Sequence, residues 1–321
     1  MAGKIRTVTL FPGQGSQYPG MPKEVLENFP WTQEIFEEAS DALKMNLTKL
    51  CLEGPESDLR LTENAQPAIL TTSYAWFEVL RRQLSYEPSA VAGHSLGEYS
   101  ALLGSGAFDL GTAVKLVRKR GQLMQSAVPV GEGKMAAFIG LADEIVRAIC
   151  EEASDSDHQV VAANYNAPSQ VVIAGHSAAV ERAQVLASGE TRKEFKARKV
   201  VPLNVSAPFH SPLMKPVADS FEADLKSAKW SELRYPIVSN LDAELRQEGD
   251  WVTLLRDQID HPVLWTQSIE GLAKQEFETY VEVGPGKVLT GLVKRIARGS
   301  QLFNVDSLEE LKKFETFLNA N

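Results

Sequence analysis

The tetrapeptide Ala-Gly-His-Ser occurs twice in the chain, at 92–95 and at 174–177, and each copy ends an apolar run with a serine. The first copy continues through Leu96 to Gly97, so that 93–97 form a G-x-S-x-G pattern between a predicted strand and a predicted helix. A serine at such a sharp turn exposes its hydroxyl, and free N–H groups of the following helix can stabilise an oxyanion. The pattern predicts that Ser95 is a nucleophile, with a helix-capping serine in a glycine turn as the alternative.

The second copy lacks the second glycine. Ser177 is followed by Ala178 and Ala179 and then by a helical pattern. A short hydroxyl side chain at this position is typical of a helix start, where it accepts a hydrogen bond from a free N–H group. We predict that Ser177 caps a helix and takes no part in chemistry.

A serine nucleophile needs a general base, and the chain offers five histidines: His94, His158, His176, His210 and His261. His210 lies in a loop between Pro208 and Pro212, and the fixed φ angles of the two prolines restrict its position, as a general base requires. His94 adjoins Ser95, so its side chain is expected to point away from the serine hydroxyl. We predict His210 as the base, with a buried structural histidine as the alternative.

Composition limits the partners and the compartment. The 321 residues include 42 acidic and 33 basic side chains, a net charge of −9, which argues against a nucleic-acid partner because phosphate binding needs a basic surface. Cys51 and Cys150 are far apart in the sequence, so neither a disulfide framework nor a metal motif is predicted. No apolar run reaches the ~20 residues of a membrane span. We expect a soluble, cytoplasmic protein and take a monomer as the default state.

The elements that must position Ser95 and His210 alternate between short apolar strands and amphipathic helices. This alternation predicts an α/β protein with a largely parallel sheet. The predicted elements of the first part are a strand at 7–11, helices at 24–50 and 68–84, a strand at 89–93 and helices at 96–103 and 111–126.

The pattern changes near residue 128 to strand, helix, strand, strand, helix and strand, which is the ferredoxin-like order. We therefore predict a small ferredoxin-like subdomain at 130–204, inserted into a large subdomain formed by 1–129 and 205–321. Asn164 and Asn166 are compatible with turn positions and are not included in the predicted site. The other predicted elements include helices at 143–153, 216–228 and 252–259 and a strand at 279–283.

Six motifs together resemble the malonyl-CoA:acyl-carrier-protein transacylase family, which includes acyltransferase domains of polyketide synthases. They run in the family's order through nearly the whole chain: FPGQGSQ at 11–17, GHSLGE at 93–98, RGQLMQ at 120–125, NAP at 166–168 with Gln170, APFH at 207–210 and EVGPG at 282–286. The resemblance implies a hydrolase-like large α/β subdomain with a ferredoxin-like insert, which agrees with the predicted organisation.

The resemblance also implies roles for individual residues. Ser95 would be the acylated nucleophile and His210 the general base and acid. The backbone N–H groups of Gln14 and Leu96 would form the oxyanion hole. Arg120 would hold the malonyl carboxylate in a bidentate pair and so select a dicarboxylic acyl group over acetyl.

Three further site residues are carried over from the resemblance. Met124 follows Arg120 by one helical turn, so it shares the same face and would line the same pocket. A backbone carbonyl near Gln258 would orient His210. Phe209 and Leu96 match the malonyl-selective form of the family, whereas methylmalonyl-selective relatives typically carry serine at the position of Phe209.

The implied activity is ping-pong transfer of malonyl from malonyl-CoA to the phosphopantetheine thiol of an acyl carrier protein, with no bound cofactor, in support of fatty acid biosynthesis. A stand-alone acyltransferase serving a polyketide or polyunsaturated lipid synthase is the closest alternative. A serine hydrolase or thioesterase would have no use for Arg120. A carrier-binding module without catalysis is disfavoured because Ser95, His210 and Arg120 are all present.

The clearest basic stretch is RKEFKARK at 192–199. Because a local positive surface can steer an acidic partner despite a negative total charge, we hypothesise that this stretch helps to dock the acyl carrier protein. A solvated edge of the small subdomain is the alternative.

Overall fold

The computed structural model describes residues 5–129, 131–205 and 207–321. Val130, the predicted first residue of the small subdomain, and Ser206 lie outside the described residues. The strands are β1 (Thr7–Phe11), β2 (Ala90–Gly93), β3 (Gly133–Ile139), β4 (Val160–Ala167), β5 (Gln170–His176), β6 (Lys199–Pro202), β7 (Ile237–Val238), β8 (Leu245–Arg246), β9 (Thr279–Val283) and β10 (Gln301–Val305). The helices are α1 (Lys23–Asn28), α2 (Gln33–Leu43), α3 (Leu47–Glu53), α4 (Glu56–Arg60), α5 (Thr62–Leu84), α6 (Leu96–Gly104), α7 (Leu110–Gln125), α8 (Asp143–Ala153), α9 (Ser177–Leu186), α10 (Lys215–Ser227), α11 (Trp251–Asp257), α12 (Trp265–Lys274), α13 (Val288–Ile296) and α14 (Leu308–Ala320).

The central sheet has the strand order β10-β9-β1-β2-β7-β8. All neighbouring pairs are parallel except β7 with β8, which confirms the predicted α/β class with a largely parallel sheet. All five residues of β1 are buried, as expected for a strand covered on both faces. Because β1 and β2 are neighbouring parallel strands, their carboxyl ends lie side by side, and the loops that follow them carry Gln14 and Ser95.

A second, antiparallel sheet has the order β4-β5-β3-β6. Together with α8 and α9 it follows the chain order strand, helix, strand, strand, helix, strand, which confirms the ferredoxin-like architecture expected for this part of the chain. It has its own hydrophobic cluster, in which Phe138, Val146, Ile149 and Ile173 are buried. The subdomain bounds at 130–204 remain a prediction.

The two sheets are joined next to Ser95. Asn164 in β4 forms a parallel bridge with Val263, and the Tyr165 N–H donates to the Val263 carbonyl at 3.0 Å. His94 Nε2 lies 2.7 Å from Asn166 Oδ1. The loop that begins α6 and the loop before α12 are thereby fixed against β4 of the small sheet, next to Ser95.

The prediction of one helix over 24–50 is wrong. The structure divides it into α1, a short 3₁₀ turn at Pro30–Thr32, α2 and α3. Pro30 starts the turn, and Lys44 ends α2 in the left-handed region at φ 53°. Asn46 then caps α3 by accepting a hydrogen bond from the Lys49 N–H. Local capping signals outweigh the continuous apolar period here.

The helix predicted from residue 68 begins earlier, at Thr62, and contains Pro67. Proline inside a helix removes one hydrogen bond and costs about 3 kcal/mol. Burial offsets this cost, because Ala65, Ile69 and Leu70 around it are fully buried in the main core. In the described part of the chain, no helix has the length and apolar character that a membrane span requires.

Candidate active site

Ser95 stands at the turn between β2 and α6 with φ 52° and ψ −104°, a backbone conformation that side-chain-bearing residues rarely adopt. The flanking glycines make the turn possible. A Cβ on Gly93 would lie 1.9 Å from the Gly97 carbonyl oxygen, and a Cβ on Gly97 would lie 2.0 Å from the Phe11 carbonyl oxygen. The Ser95 side chain forms no capping hydrogen bond, so the capping alternative is wrong and the hydroxyl faces the cavity.

His210 contacts the Ser95 hydroxyl, with 2.8 Å between Nε2 and Oγ. On the other side of the ring, Nδ1 lies 2.8 Å from the backbone carbonyl oxygen of Gln258. Because a carbonyl can only accept, Nδ1 carries the proton and Nε2 presents its lone pair to the hydroxyl. The Ser95 hydroxyl therefore donates to His210, which is the arrangement that a general base requires.

His210 is held uncharged by its surroundings. It is 3% exposed, and its backbone is strained at φ 58°. Burial, assisted by the nearby positive charge of Arg120, lowers the pKa of His210 to about 3. The imidazole is therefore neutral, and able to accept a proton, at neutral pH.

Arg120 projects from α7 to the same hydroxyl. Its Nη2 donates to Ser95 Oγ at 3.0 Å and to Gln258 Oε1 at 2.8 Å, while Nη1 donates to Gln66 Oε1 at 3.0 Å. The side chain is 1% exposed, its Nε has no hydrogen-bond partner, and no carboxylate of the described residues forms an ion pair with it. Burial lowers the pKa of Arg120, but an arginine stays protonated. The site thus contains a buried cation that contacts only neutral groups.

Two backbone N–H groups are free for an oxyanion. Leu96 is the first residue of α6, so its N–H has no acceptor within the helix. Gln14 lies in the turn after β1, where the Gln14 side chain donates to Thr62. Neither backbone N–H has an acceptor among the described residues, and both residues line the same cavity as Ser95.

The cavity has a volume of about 550 Å³. Of the predicted site residues, all except Gln258 line it, and Gln258 reaches the site through its hydrogen bonds. Met124 and Phe209 are buried and form part of its apolar wall. Asn164 and Asn166, which were left out of the predicted site, lie in β4 and line the cavity as well.

Three polar residues of the site were not singled out from the sequence. Gln66 contacts Arg120, Glu98 contacts Gln258, and Asn240 accepts a hydrogen bond from the Ser95 N–H at 2.6 Å. Among the three, Glu98 has the clearest signal in the sequence, because it is the one charged residue in the segment LGEYSALLG of α6. Gln66 and Asn240 are also buried, but each lies close to another polar residue, Asn64 or Ser239, and their partners are distant in sequence.

The remaining candidates lie elsewhere or serve the framework. Ser177 starts α9 as predicted, but its hydroxyl donates to the Gly131 carbonyl at 2.5 Å and does not cap the helix. His158 and His176 contact each other in the small subdomain, and His261 is exposed beside Asp260. His94 points away from the serine hydroxyl, toward Asn166, as expected.

Comparison with known proteins places this geometry in a family. Residues 8–313 match the family model described as an acyl transferase domain. The chain is 47% identical over 290 residues to the malonyl CoA-acyl carrier protein transacylase of Escherichia coli K12, covering 89% of this chain and 91% of that protein. The solved structure of the malonyl CoA-acyl carrier protein transacylase from Coxiella burnetii resembles this structure with a TM-score of 0.94. The two chains are 39% identical, and the match covers 98% of each. A malonyl-transacylase solved with a holo acyl carrier protein of a type II polyketide synthase matches with a TM-score of 0.92, 40% identity, and coverage of 98% of this chain and 100% of that one.

The depressed pKa of His210 can be measured directly. We expect the His210 ring resonances, assigned by their loss in His210→Gln, to show the neutral form throughout about pH 5 to pH 8, because burial and Arg120 both disfavour the cation. Two-dimensional NMR of the histidine-labelled protein checks this. A titration midpoint near the ordinary value of 6.5 would contradict the derived charge state.

Proposed function

This chain belongs to the malonyl-CoA:acyl-carrier-protein transacylase family, and we propose that it transfers malonyl from malonyl-CoA to the phosphopantetheine thiol of an acyl carrier protein. The observation that carries this proposal is the buried guanidinium of Arg120, 3.0 Å from the Ser95 hydroxyl and without a carboxylate partner among the described residues. An acyl group that ends in a carboxylate would supply the missing anion.

In the first half-reaction, His210 Nε2 takes the proton of the Ser95 hydroxyl while Oγ attacks the thioester carbonyl carbon of malonyl-CoA. The backbone N–H groups of Gln14 and Leu96 stabilise the negative charge on the carbonyl oxygen by hydrogen bonds. The intermediate then collapses as the carbon–sulfur bond breaks, and protonated His210 returns its proton to the leaving thiolate. The products are malonyl-Ser95 and free coenzyme A.

The second half-reaction reverses the roles of the two sulfur groups. His210 takes the proton of the phosphopantetheine thiol, and the thiolate attacks the malonyl-Ser95 ester. When the ester bond breaks, His210 returns the proton to Ser95 Oγ. Every group in these steps comes from the chain or from the two thiol substrates, so the proposal includes no bound cofactor.

We place this activity in fatty acid synthesis. Supply of a polyketide synthase is a second candidate, favoured by the similarity to the transacylase that was solved with a polyketide carrier protein. The chemistry at Ser95 is the same in both cases. The cytoplasmic location remains a prediction from composition, and the monomer remains the default expectation.

The basic stretch 192–199 is our proposal for part of the carrier-protein surface. Phe195 is buried and anchors a short turn, while Arg192 pairs with Glu152 at 3.2 Å. The side chains of Lys193, Lys196 and Lys199 are exposed and form no ion pair within the described chain. Three exposed ammonium groups on one short stretch of chain would attract an acidic carrier protein.

Formation of an acyl-enzyme on Ser95 tests the proposed function. After mixing with malonyl-CoA we expect a malonyl adduct on Ser95 that persists without an acceptor and moves to added holo carrier protein, because the carrier thiol is the intended nucleophile. Mass spectrometry of intact and digested protein follows both steps. Ser95→Ala should form no adduct, and rapid release of free malonate from the wild type would instead identify a hydrolase.

Charge reversal tests the docking surface. Replacing Lys193, Lys196 and Lys199 by Glu should raise the KM for the carrier protein about tenfold or more at low salt, since electrostatic steering is lost, and leave acylation by malonyl-CoA unchanged. The matched control reverses Lys115, Lys119 and Lys229, three exposed lysines that line a different depression. An unchanged KM for the carrier protein would reject this surface.

A further inference from the structure

A buried carboxylate lies behind the site and contacts neither the nucleophile nor the base. Glu98 is 1% exposed on α6, three residues after Ser95. Its Oε2 accepts a hydrogen bond from Gln258 Nε2 at 2.6 Å, and its Oε1 accepts from the Asn240 N–H at 3.2 Å. Neither half-reaction assigns Glu98 a step. Burial of a charge costs free energy, which hydrogen bonds from its partners must offset.

The contact to Gln258 helps to determine which way its amide points, together with the contacts to the Ser95 carbonyl and to Arg120. Gln258 Nε2 donates to Glu98 and, at 3.0 Å, to the Ser95 carbonyl, while Oε1 accepts from Arg120 at 2.8 Å. An ionised carboxylate can only accept, so it requires the NH₂ end of the amide on its own side. The opposite orientation would place NH₂ against the Arg120 guanidinium, where both groups are donors.

The same glutamine orients the base through its backbone. Its carbonyl accepts from His210 Nδ1 at 2.8 Å, so one residue contacts both the base and the cation of the site. Asn240 extends the support to the serine turn: its Oδ1 accepts from the Ser95 N–H at 2.6 Å, and its Nδ2 donates to the Gly93 carbonyl at 2.7 Å. Gln258 and Asn240 therefore share two partners, the Glu98 carboxylate and the backbone of Ser95.

We propose that Glu98 is a positioning residue that acts through the Gln258 amide, fixing the oxygen of that amide on Arg120 and thereby the orientation of the guanidinium that receives the malonyl carboxylate. The malonyl group in this statement rests on the proposed function. Because Gln258 stands between them, the anion of Glu98 orients Arg120 without neutralising it by direct contact. The guanidinium thus remains available to a second anion.

The charged and titratable groups around Glu98 are Arg120 from α7, Asp242 after β7 and Tyr99 of its own helix. Burial raises the pKa of Glu98 to about 7, with hydrogen bonds from Gln258 and Asn240 and the charge of Arg120 opposing the rise. The carboxylate is therefore ionised above about pH 7 and protonated below it. A protonated Glu98 no longer requires the Gln258 amide to keep its present orientation, which then depends on the Ser95 carbonyl and Arg120 alone.

Glu98→Gln tests the proposal, because it keeps the shape and removes the charge. Hydrogen bonds to charged groups are stronger than those between neutral groups. We therefore expect kcat/KM for acylation by malonyl-CoA to fall about tenfold to a hundredfold, and the preference for malonyl-CoA over acetyl-CoA to fall with it. The pH profile of kcat/KM for malonyl-CoA in the variant should also lose any decrease on the acid side of about pH 7. The matched control is Glu78→Gln, a buried carboxylate of α5 that pairs with Arg81 and Arg82 away from the site and should leave both readouts unchanged.

Two results would overturn the proposal. One is an unchanged kcat/KM in Glu98→Gln. The other is a loss of activity that is equal for malonyl-CoA and acetyl-CoA and leaves the pH profile intact, which would make Glu98 a structural residue only. If the variant does not fold, the wild type provides the test: its malonyl-to-acetyl ratio should fall as the pH drops below about 7, and a flat ratio refutes the proposal. Absence of any malonyl-Ser95 in the wild type would instead defeat the proposed function.

Discussion

The charge of Arg120 is the constraint on which the arrangement of this site depends. A guanidinium removed from water loses several kcal/mol of solvation unless an anion replaces the water. The protein supplies only neutral acceptors from Gln66, Gln258 and Ser95, and leaves Nε without a partner. A ligand carboxylate that enters the cavity therefore finds a desolvated cation with no competing ion pair, which favours such a ligand over an uncharged acyl group.

This constraint also accounts for how His210 is oriented. Where a buried Asp orients the histidine of a hydrolytic triad, its carboxylate stabilises the imidazolium. Here a carboxylate in the place of the Gln258 carbonyl would add a negative charge to a site whose buried cation has no ion pair, and that charge would oppose binding of the acyl carboxylate. A backbone carbonyl fixes the same tautomer without adding a charge. The buried carboxylate that is present, Glu98, is separated from the guanidinium by the Gln258 amide.

The parts of this structure that could be predicted from the sequence are those with local causes. The bounds of α8 and β9 match the predicted 143–153 and 279–283, because each has an uninterrupted period between clear stops. Likewise, the glycines at 93 and 97 locate the serine turn. The contacts of Glu98 and Asn240 could not be predicted in this way, since their partners are more than 140 residues away. The proposed roles of Gln14, Arg120 and Gln258 rest on the family resemblance, because nothing in local spacing distinguishes Arg120 from its neighbour Arg118.

The measurement that tests the central claim most directly is the competition between malonyl-CoA and acetyl-CoA for acylation of Ser95 in Arg120→Ala. Loss of the buried cation should abolish the preference for malonyl, so that the ratio of the two kcat/KM values falls by about a hundredfold or more, since charge-assisted hydrogen bonds are among the strongest in proteins. Arg118→Ala, two residues earlier on α7 and paired with Glu63, should keep the wild-type ratio. An unchanged ratio in Arg120→Ala would show that Arg120 does not select the acyl group.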